Sequence, residues 1–238
     1  MNTNLPNISL YIHFPWCEKK CPYCDFNVTT EKKDKDIFAL TEAIISDISL
    51  SKNEINNRKF QSVYFGGGTP SLVPVEYFKK ILDFLYKEEM INASAEITVE
   101  FNPKEAKKDK IASLLSAGIN RMSLGVQSFD ESILNQLGRN HNAIEAKEAI
   151  ANLAHFPDLN TTIDLIYGVM DQNIKSFKKD INLFLDHGID HLSLYQLTIE
   201  PNTIFYKKEL NLPVELQISQ FENIAKQLLE DSGYLQYE

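Results

Sequence analysis

The sequence predicts an α/β fold, an incomplete (βα)6 TIM-like barrel with a short C-terminal helical extension. Three observations lead there. Strand-like and helix-like segments alternate along all 238 residues with no linker or low-complexity stretch, a pattern that gives parallel strands joined by helical crossovers. The length suits one large single-core domain. Residues able to do chemistry recur at the strand ends, where βα barrels gather their chemistry. The alternation by itself fits an open doubly wound sheet equally well; the strand-end pattern favours the barrel.

In order, residues 8–13 read as the first strand and residues 37–50 as a helix with Ile37, Leu40, Ile44, Ile45 and Ile48 on one face. Residues 62–65 form a short strand running into Gly66-Gly67-Gly68. Residues 75–86 are helical, with Pro74 suited to the first turn. Residues 96–101 are β-rich and closed by Asn102-Pro103. Residues 107–116 are helical, with Gly118 as the C′ residue. Residues 121–126 are the fourth strand, followed by short helices at 131–137 and 143–153. Residues 160–165 are the fifth strand, 174–185 a helix stopped by Gly188, 191–197 the sixth strand and 221–230 a last helix before Gly233. The strand-end positions are Glu100, Asn102, Gln127, Asp164, Gln196, Thr198 and Glu200, all expected on one rim.

Hydrophobic residues at 43% and charged residues at 24% fit a globular domain. A net charge of −9, with Lys and Arg scattered among acids, disfavours a nucleic-acid partner. No apolar run approaches the ~20 residues that cross a bilayer. Residues 1–7 are polar with no basic region before an apolar stretch, so no signal peptide is expected and the cytoplasm is the expected location.

All three cysteines fall between positions 17 and 24, as Cys17-Glu-Lys-Lys-Cys21-Pro-Tyr-Cys24. A disulfide framework spreads an even number along the chain; clustered thiols point to a metal. Iron–sulfur clusters usually take four thiolates. Three can hold three corners of a cube, and with no fourth cysteine one iron takes another ligand, by the logic that leaves catalytic zinc an open position. The alternative is structural zinc with three Cys and one His, such as His13, although zinc sites more often begin with a closer or wider pair and carry a second pair.

Several other residues invite a ligand. Gly66 to Gly68 let backbone approach a ligand closely, or make a tight turn; Thr69-Pro70 follows, without the Lys-Ser/Thr ending of a phosphate loop. Glu100 is a hydrogen-bond acceptor or a solvated strand-end acid. Gln127 can donate and accept through one amide. Arg139 offers a planar fork to a carboxylate. Asp164 sits among apolar residues, where a carboxylate needs partners. Tyr11 and Tyr23 flank the cysteines, as ligand contacts or as core. His13 reads as a supporting or core residue, and His141, His155, His187 and His191 have no metal spacing.

Residues 11–17 and 21–27 (Tyr-Ile-His-Phe-Pro-Trp-Cys and Cys-Pro-Tyr-Cys-Asp-Phe-Asn) resemble the radical S-adenosylmethionine (SAM) superfamily. The resemblance implies a [4Fe–4S] cluster on Cys17, Cys21 and Cys24, with SAM chelating the fourth iron. One electron then cleaves the sulfonium to methionine and a 5′-deoxyadenosyl radical. It also implies that Gly67, Gly68 and Thr69 hold the methionine amino group and Glu100 the ribose. Tyr11, Tyr23, Gln127, Arg139 and Asp164 complete the expected SAM contacts. No side chain is assigned as a catalytic acid or base.

Residues 64–72, 123–129, 164–168 and 195–203 narrow the resemblance to the oxygen-independent coproporphyrinogen III oxidase group. One branch decarboxylates porphyrinogen propionates; the other is a haem-chaperone branch. The decarboxylating pattern has a further cysteine two residues after the third ligand, where this chain has Phe26, as the chaperone branch does. The chaperone resemblance implies haem as a ligand and respiratory haemoproteins as clients. A flavodoxin- or ferredoxin-like reductant, and room for peripheral membrane contact, belong to the same expectation. The alternative is porphyrinogen as substrate. The expected division is residues 1–212 as the radical SAM core and 213–238 as the start of a C-terminal region. In the chaperone branch that region carries a His-Asn…Tyr-Trp motif. This chain has only Trp16, so the region is expected to be cut short and the barrel mouth left open.

Overall fold

The computed structural model describes residues 6–56 and 58–237; the expectation of a polar start therefore rests partly on residues 1–5, outside the described residues. Six parallel strands form one sheet in the order β1-β2-β3-β4-β5-β6. They are β1 (Ile8–Phe14), β2 (Phe60–Gly67), β3 (Ile91–Phe101), β4 (Arg121–Gln127), β5 (Asn160–Tyr167) and β6 (His191–Gln196). The helices are α1 (Asp34–Leu50), α2 (Lys52–Ile55), α3 (Val75–Lys87), α4 (Lys108–Ser116), α5 (Glu131–Gln136), α6 (Ala143–Leu153), α7 (Ile174–Asp186) and α8 (Glu215–Asp231).

This order resolves the ambiguity left by the alternation. A doubly wound sheet reverses its strand order and so places helices on both faces. Here each strand pairs with the next in sequence. Crossovers of one hand then put the helices on one side of the sheet. β1 and β6 are both edges, so the barrel is incomplete.

The strand pattern of period two makes two unlike faces. Ile12, Phe14, Val63, Phe65, Ile97, Val99, Met122, Leu124, Ile163 and Leu165 are buried against the helices. Phe78 of α3 meets Phe14 and Phe65 edge-on, with centroids 5.5 and 5.0 Å away. α8 joins the same core: Phe221 packs 5.1 Å from Phe177 of α7. The alternate residues, including Tyr11, His13, Tyr64, Glu100, Ser123 and Asp164, are polar and line the other, concave face.

Most elements lie within a few residues of their expected bounds, and three differences carry physics. β5 continues to Tyr167, so Asp164 is mid-strand and not at the rim as expected. α8 begins at Glu215, six residues before the expected start, because Gln217 accepts from the Val214 N–H at 3.0 Å and closes a first turn whose apolar residues, Val214 and Leu216, are exposed. Gly66 and Gly67 lie inside β2, paired with His13 and Phe14, instead of forming a turn beyond it. No helix among the described residues is long and apolar enough to cross a membrane.

Candidate cluster and cofactor site

The cysteine loop leaves the end of β1 and is tied at its neck. Thr29 N–H donates to the Pro15 carbonyl at 2.8 Å, and Cys17 N–H to the Thr29 carbonyl at 2.9 Å. The end of β2 continues the ladder into it: Gly68 N–H donates to Phe14 O at 2.8 Å and Thr69 N–H to Trp16 O at 2.7 Å. A Cβ at Gly68 would lie 2.5 Å from Trp16 O and 3.0 Å from Cys17 Sγ. The glycine is there because the backbone passes directly beside a thiol. Thr69 Oγ1 donates to Cys17 Sγ at 3.7 Å.

The far side of the loop rests on later elements. Phe205 N–H donates to Pro22 O at 3.0 Å, and a Cβ at Gly138 would lie 2.6 Å from the Pro22 ring. Arg139, after α5, is half-buried. Its guanidinium donates to Cys21 Sγ at 3.6 Å, to Tyr23 Oη at 3.3 Å and to Gly125 O at 2.8 Å. The fork therefore takes a thiol, a phenol and a carbonyl of the chain itself. Tyr23 is half-buried with its ring 6.3 Å from Phe205, at the edge of an apolar cluster, and desolvation raises its phenol well above the usual value. Tyr11 is exposed, stacked 6.0 Å from Tyr64, and bonded to His13 Nδ1 at 3.1 Å. His13 Nε2 donates to Asn27 O at 2.9 Å and so braces the loop.

Along the concave face a belt of polar groups joins neighbouring strands. Tyr64 Oη donates to Glu100 Oε1 at 2.9 Å and Gly67 N–H to Glu100 Oε2 at 3.1 Å. Ser123 Oγ donates to Asp164 Oδ2 at 3.1 Å. Burial pushes Glu100 up to about 7, with the nearby Asp164 charge adding, while its Tyr64 bond works against the rise. Burial likewise pushes Asp164 up to about 6. Gln127 stands apart: a β-bulge follows Leu124, its φ is +67°, and its amide lies over Gly125, where a Cβ would be 3.1 Å from Nε2. Its Oε1 is buried with no hydrogen-bond partner among the described residues, as is Arg139 Nε.

These residues fit the implied group. The thiols are free and half-buried. Burial raises Cys17 and Cys24 above their usual value, so turning them into thiolates calls for a cation such as a metal. Among the described residues no three His, Cys, Asp or Glu side chains are gathered tightly enough for one ion. The orphaned Gln127 and Arg139 atoms are polar groups awaiting a polar ligand. A groove of about 670 Å³ between α6 and α7, lined by Lys147, Lys175, Lys178 and Lys179, touches none of these residues.

Sequence reasoning missed Tyr64, Ser123, His141 and Asp180, although Tyr64 and Ser123 occupy the same period-two positions as Glu100 and Asp164. His141 is buried, pushed down to about 3 by burial and by Arg139, and donates from Nε2 to Val126 O at 3.0 Å.

A parallel barrel with free clustered thiols at its rim defines a metallocofactor protein of the βα-barrel class. The family model described as the radical SAM superfamily matches residues 11–184, and the chain belongs to that family, whose members hold a [4Fe–4S] cluster and SAM. It is 41% identical over 239 residues to the haem chaperone HemW of Haemophilus influenzae, covering 98% of this chain and 62% of that one. It is 39% identical to HemW of Escherichia coli, with the same coverage. Coproporphyrinogen III oxidase (HemN) from Escherichia coli superposes with a TM-score of 0.85 at 27% identity, over 96% of this chain and 54% of that one. The chain thus spans about 62% of the length of the curated relatives it matches.

Proposed function

We propose that this chain is a haem chaperone that carries a SAM-binding [4Fe–4S] cluster. The observation that carries the reading is the rim: three free thiols, a glycine backbone against one of them, and an unpartnered Gln127 carbonyl a short way across. Cys17, Cys21 and Cys24 hold three irons and leave the fourth for SAM. When bound, the cluster supplies the electron that breaks the sulfonium C–S bond of SAM. Gly67, Gly68 and Thr69 present backbone to the amino-acid end. Glu100, Gln127 and Asp164 orient the nucleoside, Arg139 ties the loop to β4, and Tyr11 and Tyr23 wall the site. The cluster provides the reactivity; the chain provides orientation and exclusion of water.

Residues 1–212 are assigned as the radical SAM core, against which α8 packs through Phe221. The working location is the cytoplasm. The partners are haem, a respiratory haemoprotein client and a flavodoxin- or ferredoxin-like electron donor. Phe26, two residues beyond Cys24, and the identity to haem chaperones along nearly the whole chain support this over porphyrinogen decarboxylation. The HemN likeness keeps decarboxylation as the second reading.

Anaerobic reconstitution with iron and sulfide, followed by EPR with and without SAM, tests the core. A reduced-cluster signal that shifts on SAM addition is expected; a colourless, zinc-loaded protein overturns it. Haem titration, with a porphyrinogen assay in parallel, then separates the two readings. Haem binding without porphyrin formation is the expected result.

A further inference from the structure

Gln127 holds a conformation that few residues other than glycine adopt, with φ at +67°. Such strain persists only where surrounding structure imposes it, and here the source is visible. Ser128 N–H donates to Val126 O at 2.9 Å, closing a tight turn around Gln127. Immediately after it, Asp180 of α7 reaches in from behind the sheet. Asp180 Oδ2 accepts from Ser128 Oγ at 2.6 Å, and Oδ1 from Phe129 N–H at 2.8 Å. Asp180 is 2% exposed, and both carboxylate oxygens go to this one turn. The same Ser128 hydroxyl accepts from Asp130 N–H at 3.0 Å, and Asp130 caps α5. His141 adds its bond to Val126 O.

We infer that Asp180 is a positioning residue for the SAM site, acting through the Ser128–Phe129 turn to hold Gln127 in its left-handed conformation with its amide over Gly125. This rests on the SAM reading proposed above. A buried acid on an outer helix serves the core poorly, since burying a carboxyl has a cost. Its two bonds are directed at Ser128 and Phe129, the two residues that follow Gln127, whose side-chain carbonyl is left open. Without Asp180, Gln127 relaxes toward negative φ and its amide leaves the gap above Gly125.

The test is a double-mutant cycle on SAM binding, read by equilibrium dialysis and by the SAM-dependent EPR shift of the reconstituted protein. Asp180→Ala is expected to weaken SAM about tenfold, as removal of a supporting partner does, with cluster content unchanged. In a Gln127→Ala background the same substitution is expected to leave SAM affinity unaltered, while lowering the melting temperature equally in both backgrounds. Ser128→Ala removes one of the two bonds and covers the case in which Asp180→Ala fails to fold. Asp180→Asn, which can still accept from Phe129 N–H and meet Ser128, is expected to restore most of the affinity. Equal losses of affinity with and without Gln127, or no loss in a folded Asp180→Ala protein, overturn the inference. A wild-type protein that forms a cluster yet shows no SAM shift fails the earlier reading instead.

Discussion

The two faces of the sheet, made from alternate residues of the same strands, do opposite work. The helix-facing residues, such as Val63, Phe65 and Leu124, are fully buried and apolar. The concave residues one step away, such as Tyr64, Glu100 and Ser123, are polar and bonded to one another across strands. Most of the apolar packing thus lies on one side, and much of the other carries groups that a packed core rejects. The contrast teaches that this fold separates holding from doing at the level of single backbone steps.

The largest expected effect falls on the loop alone. Cys17→Ser, and likewise Cys21→Ser or Cys24→Ser, is expected to abolish the visible absorption and bound iron of the reconstituted protein while its circular dichroism is retained. Phe65→Ala attacks the opposite face. Deleting a buried ring against Phe14 and Phe78 is expected to cost about 3–5 kcal/mol in denaturant unfolding without altering the cysteines. Gly68→Ala joins the faces, because its Cβ presses on Trp16 O and Cys17 Sγ. It is expected to cost about 1–3 kcal/mol and to lower iron content together with stability, which neither previous variant does. Asp164→Asn is expected to weaken SAM binding while shifting stability by less than ~1 kcal/mol, since its carboxyl sits raised by burial and an amide keeps the Ser123 bond.

The smallest effect is a slope. Glu100 is raised from 4.5 to about 7, so the folded chain holds a proton there that the unfolded chain has released. Its stabilising share is whole below about 4.5 and is lost as pH rises through about 7. Thermal melts of the cluster-free protein should show Glu100→Gln flattening that decline; an unchanged slope refutes the shift.

The elements were largely legible because the strands are apolar on one side, and β2, β3 and β5 end in or run into Gly or Asn. The cysteine spacing carried the metal centre for a similar reason: it is a local pattern. What stayed hidden depends on distance in sequence. Lys178-Lys179-Asp180 reads as a solvated charge run, although Phe177, Ile181 and Phe184 put Asp180 on the buried face of α7. Asp164 announced itself by its apolar neighbours, but its place in mid-strand followed only from where β5 ends. Arg139 was recognised as a donor, yet two of its three partners, Cys21 and Tyr23, lie on a loop more than a hundred residues earlier, beyond any local reading.

That last separation bears on assembly. The thiols belong to the first strand's loop, while the guanidinium that meets Cys21 comes 118 residues later and the backbone that grips Pro22 comes later still, at Phe205. On the ribosome the ligands emerge first and their walls last. The loop's full set of partners therefore exists only once the chain has been made past its sixth strand, and until then its thiols lack the contacts that hold them in the folded protein.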